Sequence, residues 1–154
     1  MEAGLKLARQ YYFDQDHETT RKFIISRDHS YHGNTLGTLS VSEFPIRQAP
    51  YKDILMDNVR HISSCNPFHQ LSDGESMKDF VAKKVDELEK KILEIGPEKI
   101  MAFVLEPVSG AALGCVCDPP GYLEGVKNIC HKYGILIIFD EVMCGMGRTG
   151  TYHA

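Results

Sequence analysis

The stretch ILIIFDEVMCGMGRTG, Ile135 to Gly150, decides how this chain folds. Large apolar residues from Ile135 to Phe139 run straight into Asp140 and Glu141. Gly145, Gly147 and Gly150 follow, with Arg148 among them. A short, continuous, partly β-branched apolar run reads as a strand buried on both faces of a parallel sheet. Three kinds of site would end such a strand on carboxylates. They are a nucleotide triphosphatase, a dinucleotide binder, and an enzyme that holds a cationic cofactor.

Two further runs have the same character. Phe23 to Ser26 is followed by RDHSYHGN, and Ile100 to Leu105 is followed by EPVSG. Helical patterns separate the runs. Phe80, Val81, Val85, Leu88, Ile92 and Ile95 share one face of a helix from about Ser76 to Glu94, which Gly96-Pro97 stops. A second helix is expected from Pro120 to His131, with Pro120 in its first turn and Gly134 at its exit. Leu5, Leu7, Ala8, Tyr11 and Tyr12 recur at roughly helical spacing with no capping residue before them. The segment Gly33 to Asp73 shows no clear period and reads as long loops with short helices. Alternating strands and helices predict an α/β fold, a mostly parallel sheet flanked by helices in a three-layer sandwich. Both ends of the chain are abrupt, and a piece of a longer protein is expected.

Bulk properties narrow the function. The 154 residues are 43% hydrophobic and 25% charged, with a net charge of −4 and no Lys/Arg-rich block. Nucleic acid and anionic membranes are therefore poor partners. No apolar run approaches the roughly 20 residues of a membrane span, and no secretory segment opens the chain. The five cysteines form no C-x-x-C pair. Reduced thiols in a cytoplasmic protein are expected, and the Cys115–Cys117 spacing does not suit a metal. His29, His61, His69 and His131 read as surface or packing residues. The Lys83-Lys84 and Lys90-Lys91 pairs read as a solvated helix face.

Parallel sheets bind ligands outside the carboxyl ends of their strands. Each predicted strand ends in polar residues: Ser30-Tyr31-His32-Gly33, Glu106-Pro107 and Asp140-Glu141. The nucleotide triphosphatase reading needs an upstream G-x-x-x-x-G-K-[ST], which these residues lack. The dinucleotide reading uses Gly145-Met-Gly-Arg-Thr-Gly150, but two carboxylates stand between the strand and its first glycine. The third reading is pyridoxal phosphate. Its ring nitrogen must stay protonated, and a rigidly held carboxylate favours that cation. Asp140 at the end of a buried strand meets the need. If the chain stays extended, Val142 lies on the same side and presses on one ring face, while Tyr31 stacks on the other.

The strings SYHGNTLGTLSVS, AFVLEPVSGAALG and PPGYLEGVKNICHKYGILIIFDEVMCGMGRTGTYHA resemble the class III pyridoxal-phosphate-dependent aminotransferases of fold type I. The resemblance covers almost the whole chain. It implies that residues 1–154 form part of the large cofactor-binding domain. It further implies pyridoxal 5'-phosphate as cofactor, an amine or amino acid and a 2-oxo acid as substrates, and a homodimer. Tyr31 would stack on the pyridine ring with His32 beside it. Glu106 would lie near the phenolic side, Asp140 would pair with the ring nitrogen, and Val142 would pack on the opposite face. Arg148 would fix the loop after the site. The family's Schiff-base lysine would lie beyond Ala154 and its phosphate-binding Gly-Ser turn before Met1, so no catalytic lysine is assigned within these residues and this stretch alone is not expected to transaminate. The small C-terminal domain would also lie outside. Two departures bear on chemistry. Met143 stands where many relatives carry Gln. Ala111 stands where ornithine and 4-aminobutyrate enzymes often carry a gating Glu, which favours a broader amine or amino-acid donor. A non-catalytic remnant that binds a partner subunit is the alternative.

Overall fold

The computed structural model describes residues 1–17 and 20–154. Helix α1 (Glu2–Asp16) leads to strand β1 (Phe23–Arg27), the short helices α2 (Leu36–Val41) and α3 (Pro45–Gln48), and a 3-10 stretch (Ala49–Ile54). Strand β2 (Val59–Ile62), the short helix α4 (Pro67–Gln70) and the long helix α5 (Met77–Ile95) follow. Next come a 3-10 turn (Pro97–Lys99), strand β3 (Ile100–Leu105) and the hairpin strands β4 (Val108–Ser109) and β5 (Val116–Cys117). Helix α6 (Tyr122–Lys132) and strand β6 (Leu136–Phe139) close the order.

Four strands form one sheet in the order β2-β1-β3-β6, and every neighbouring pair is parallel. Strand β3 is buried along its whole length. Its side chains alternate between two cores, as the pleat requires. Phe103 and Leu105 join Ile25 and pack under Phe80, Leu88 and Ile92 of α5 and Tyr122 and Val126 of α6. Ala102 and Val104 join Ile24 and pack under Leu5, Ala8 and Tyr12 of α1. The result is the expected three-layer arrangement. Leu7 and Tyr11, which the helical spacing grouped with that face, are turned outward at 70% and 44% exposure.

Local signals set the helix ends. Ser76 caps α5 by accepting from the Asp79 amide, and its hydroxyl donates to the Asp79 carboxylate. This satisfies a donor that the first turn would leave open. Gly96, at φ 98°, ends the same helix and donates its N–H to Ile92. The two helices over this core touch closely: a Cβ on Gly125 of α6 would lie 2.5 Å from Val85 Cγ2 of α5.

Four local expectations change. Strand β2 lies inside the segment read as loops, because its four residues carry an exposed Arg60 and a half-buried His61 between Val59 and Ile62. An edge strand needs only two inward residues, too few to show a period. Strand β6 also lies at a sheet edge, so Leu136 to Ile138 are half-buried and Phe139 is 43% exposed rather than covered on both faces. Helix α6 starts at Tyr122 with Gly121 as its cap, so Pro120 precedes the helix and does not open its first turn. Lys84 is buried rather than solvated: its ammonium donates to Ser63 Oγ at 2.7 Å and lies over the Phe80 ring.

Candidate functional site

Strands β1, β3 and β6 are neighbours and run the same way, so the residues that follow them meet at one sheet edge. Leu105 and Phe139 sit opposite one another, which brings Glu106 and Asp140 alongside. The Asp140 amide continues the ladder by donating to the Leu105 carbonyl at 2.8 Å. The polypeptide after β1 is bent back by a pair of hydrogen bonds between Ser30 and Glu43. That loop carries Tyr31 and His32.

The central contact is His32 Nδ1 to Asp140 Oδ2, 2.8 Å. His32 is 3% exposed and Asp140 5%. A carboxylate offers only lone pairs, so the imidazole donates from Nδ1. The His32 amide donates to Ser42 Oγ, which holds the ring-bearing residue from the other side. The Val142 amide donates to Asp140 Oδ1 at 3.2 Å. Among the described residues no lysine or arginine pairs with Asp140. A buried carboxylate with two hydrogen bonds and no lysine or arginine beside it among the described residues suits a cationic group from outside.

Glu106 is 3% exposed and bridges two loops. Its Oε1 accepts from the Tyr31 amide at 3.2 Å, and its Oε2 from the Gly110 amide at 3.0 Å. The Tyr31 ring meets the edge of Phe44 at 6.3 Å between centroids, and the Arg47 guanidinium lies 4.6 Å above it. Gly110 is tight against the turn after β6, where an added Cβ would come within 2.9 Å of Met143 Cγ.

Four of the five residues singled out in the sequence, Tyr31, His32, Glu106 and Asp140, therefore lie in one cluster: hydrogen bonds pair Tyr31 with Glu106 and His32 with Asp140, and Tyr31 and His32 are consecutive in the chain. Val142 is placed differently from the reading that kept the chain extended. A turn sets in at Val142, its amide folds back on Asp140, and its side chain is 82% exposed at the mouth of the cluster. Arg148 is exposed on the loop beyond, and Ala111 is exposed in the hairpin turn.

Three contributors escaped the sequence reading. Ser42 gave no signal at all. Arg27 and Asp118 form an ion pair of 2.5 Å, each side chain about 5% exposed or less. Burial opposes the charge on Arg27, but Asp118 and Tyr122 more than offset it and hold the guanidinium above its ordinary range. Burial pushes the Asp118 carboxyl up to about 6, against the opposing pull of Arg27. A charge closing the apolar run Phe23 to Ser26 was the one available hint. Among the described residues no group of His, Cys, Asp and Glu side chains could hold a metal, and no helix is long and apolar enough to cross a membrane.

A parallel sheet in three layers, with buried acids and an imidazole and a half-buried tyrosine at its strand ends, defines an α/β protein of the kind that presents its ligand site at that edge. The chain belongs to the class III aminotransferases, whose family profile (Aminotransferase class-III) matches residues 1–154. An aminotransferase of Gibberella zeae is 43% identical over 155 residues, which take in 99% of this chain and 30% of that protein. An aminotransferase of Schizosaccharomyces pombe is 44% identical over 154 residues, or 100% of this chain and 33% of its own length. The chain thus spans about a third of the length of these relatives. Among solved structures, an (S)-enantioselective omega-transaminase from Thermomicrobium roseum superposes with a TM-score of 0.91 at 38% identity, covering 99% of this chain and 33% of that one. The omega transaminase from Pseudomonas jessenii, solved in complex with PMP, gives 0.90 at 36% identity, with 99% and 33% covered.

Proposed function

We propose that the protein carrying this chain is a pyridoxal-phosphate-dependent transaminase that moves an amino group from an amine or amino acid to a 2-oxo acid. Residues 1–154 would form part of its large domain, with the phosphate-binding turn, the cofactor lysine and the small domain supplied by segments outside them. The working form would be a cytoplasmic homodimer. The observation that carries the reading is the buried Asp140 carboxylate, hydrogen-bonded to His32 and unpaired with any lysine or arginine among the described residues. The Pseudomonas jessenii relative, solved with PMP, supports the choice of cofactor.

When bound, pyridoxal phosphate supplies an electron sink that stabilises negative charge at the carbon bearing the amino group. Asp140 would hold the proton on the ring nitrogen by opposite charge in a site largely closed to water. His32 keeps that carboxylate oriented and leaves Asp140 Oδ1 to the Val142 amide. Tyr31 would offer its ring to the cofactor ring, and Glu106 fixes the Tyr31 main chain. Val142 would flank the opposite face from the mouth of the cluster.

The test is an absorbance titration of the full-length protein with pyridoxal phosphate, followed by assay with a panel of amino donors and 2-oxo acids. Saturable binding with amino transfer is expected, and Asp140→Ala should abolish turnover. Absence of saturable binding, or full turnover by Asp140→Ala, would overturn the reading.

A further inference from the structure

Arg27 closes β1, and its side chain is almost wholly buried although it carries a full charge. It does not reach the Asp140–His32 pair. Its guanidinium works behind the cluster. Nη2 donates to the Glu106 main-chain oxygen at 2.5 Å, and Nη1 donates to Asp118 Oδ1 at 2.5 Å. The plane lies 5.7 Å from the centroid of the fully buried Tyr122 ring. Asp118 in turn donates its amide to the Pro107 carbonyl.

These contacts fasten three segments to one cation: the end of β1, the residues just after β3, and the exit of the β4–β5 hairpin. Glu106 is held at its main chain by Arg27. With its side chain it reaches the opposite way, to the amides of Tyr31 and Gly110. A shift of the Glu106 backbone is therefore transmitted directly to the loop that presents Tyr31. The fork geometry matters. A planar guanidinium can bond a carbonyl and a carboxylate in two directions at once, whereas a lysine ammonium is a compact point charge on a flexible stem. The fold alone does not demand the pair, because well-packed apolar residues commonly replace a buried ion pair without loss of stability.

We infer that Arg27, with Asp118 as its counter-charge, is a positioning residue that sets Glu106 and through it the Tyr31 loop for the ligand of the strand-end site. The identity of that ligand as pyridoxal phosphate rests on the proposed function. Arg27 touches neither the ligand nor the reacting atoms, and its effect is exerted through Glu106.

The experiment compares the full-length protein with Arg27→Lys, Asp118→Asn and the paired apolar variant Arg27→Met/Asp118→Leu. Hydrogen exchange is followed in peptides holding the Tyr31 and Gly110 amides and in peptides of β3, and the Kd for pyridoxal phosphate is taken from absorbance. Exchange at Tyr31 and Gly110 is expected to quicken at least tenfold relative to β3, and the Kd to rise about tenfold. The core variant Ile92→Val serves as the control that lowers stability without moving either ratio. If Arg27→Lys does not fold, Asp118→Asn keeps the shape and removes only the counter-charge. Exchange ratios unchanged from wild type in the variants that fold would overturn the inference. Failure of the wild-type protein to bind pyridoxal phosphate would sink the proposed function instead, and the exchange ratios would still decide the role of Arg27.

Discussion

The imidazole of His32 and the carboxylate of Asp140 stand 108 residues apart in the chain and 2.8 Å apart in the fold. Both are buried, and each fixes the orientation of the other. A hydrogen bond to a charged group is worth about 1.5–3 kcal/mol, and an acceptor left buried without its donor costs a similar amount. His32→Leu is therefore expected to lower the unfolding free energy by about 2 kcal/mol at neutral pH. Urea titration checks this, and an unchanged midpoint with an unchanged slope would show that the contact contributes nothing.

Gly125 is where α6 meets α5. Replacing it with Ala raises intrinsic helix propensity by about 1 kcal/mol. The new Cβ, however, would lie 2.5 Å from Val85 Cγ2, and Val85 is β-branched and cannot swing aside. Overpacking costs typically about 1–3 kcal/mol and should win. Gly125→Ala is expected to destabilise, and Gly125→Ala combined with Val85→Ala to recover part of the loss. A double-mutant cycle that shows simple additivity would reject the clash.

The five cysteines should divide sharply in reactivity. Cys115 and Cys117 are exposed, while Cys65, Cys130 and Cys144 are buried. Burial pushes the thiols of Cys65 and Cys130 up to about 12, which leaves almost no thiolate to react. Burial raises Cys144 as well. Iodoacetamide at pH 8 is expected to modify Cys115 and Cys117 in the folded protein and all five after denaturation. Rapid labelling of Cys65 or Cys130 without unfolding would contradict the packing of this core.

Asp118 makes stability depend on pH in an unusual sense. Its folded pKa, about 6, lies above the ordinary 3.8, so the folded state binds the proton more readily than the unfolded chain. Its contribution is present at low pH and is lost as pH rises from about 4 to about 6. Two pKa units correspond to about 3 kcal/mol. Relative to Asp118→Asn, the wild-type protein is expected to lose on this order of stability across that window and then level off. Paired denaturation curves at pH 4, 5, 6 and 7 measure the difference. A gain across the window would show that the pull of Arg27 outweighs burial.

Much of this was legible before any coordinates. The apolar runs 23–26, 100–105 and 135–139 have a length and composition that suit strands of a parallel sheet, and 100–105 is buried along its whole length. The amphipathic face of α5 and the Ser76 and Gly96 signals at its ends are local physics, written within a few residues. Tyr31, His32, Glu106 and Asp140 could be nominated because polar residues directly after buried strands have one sheet edge on which to gather. Tertiary structure alone decided the rest. Strand β2 is specified by pairing with β1 rather than by its own pattern. The partial exposure of β6 follows from its place at the sheet edge. The bending back of Val142 follows from Asp140 capping its amide. Arg27 and Asp118 lie 91 residues apart, and neither means anything alone. Their ion pair exists because the crossing of three segments brings the two charges together in one buried space, where Arg27 also meets the Glu106 carbonyl.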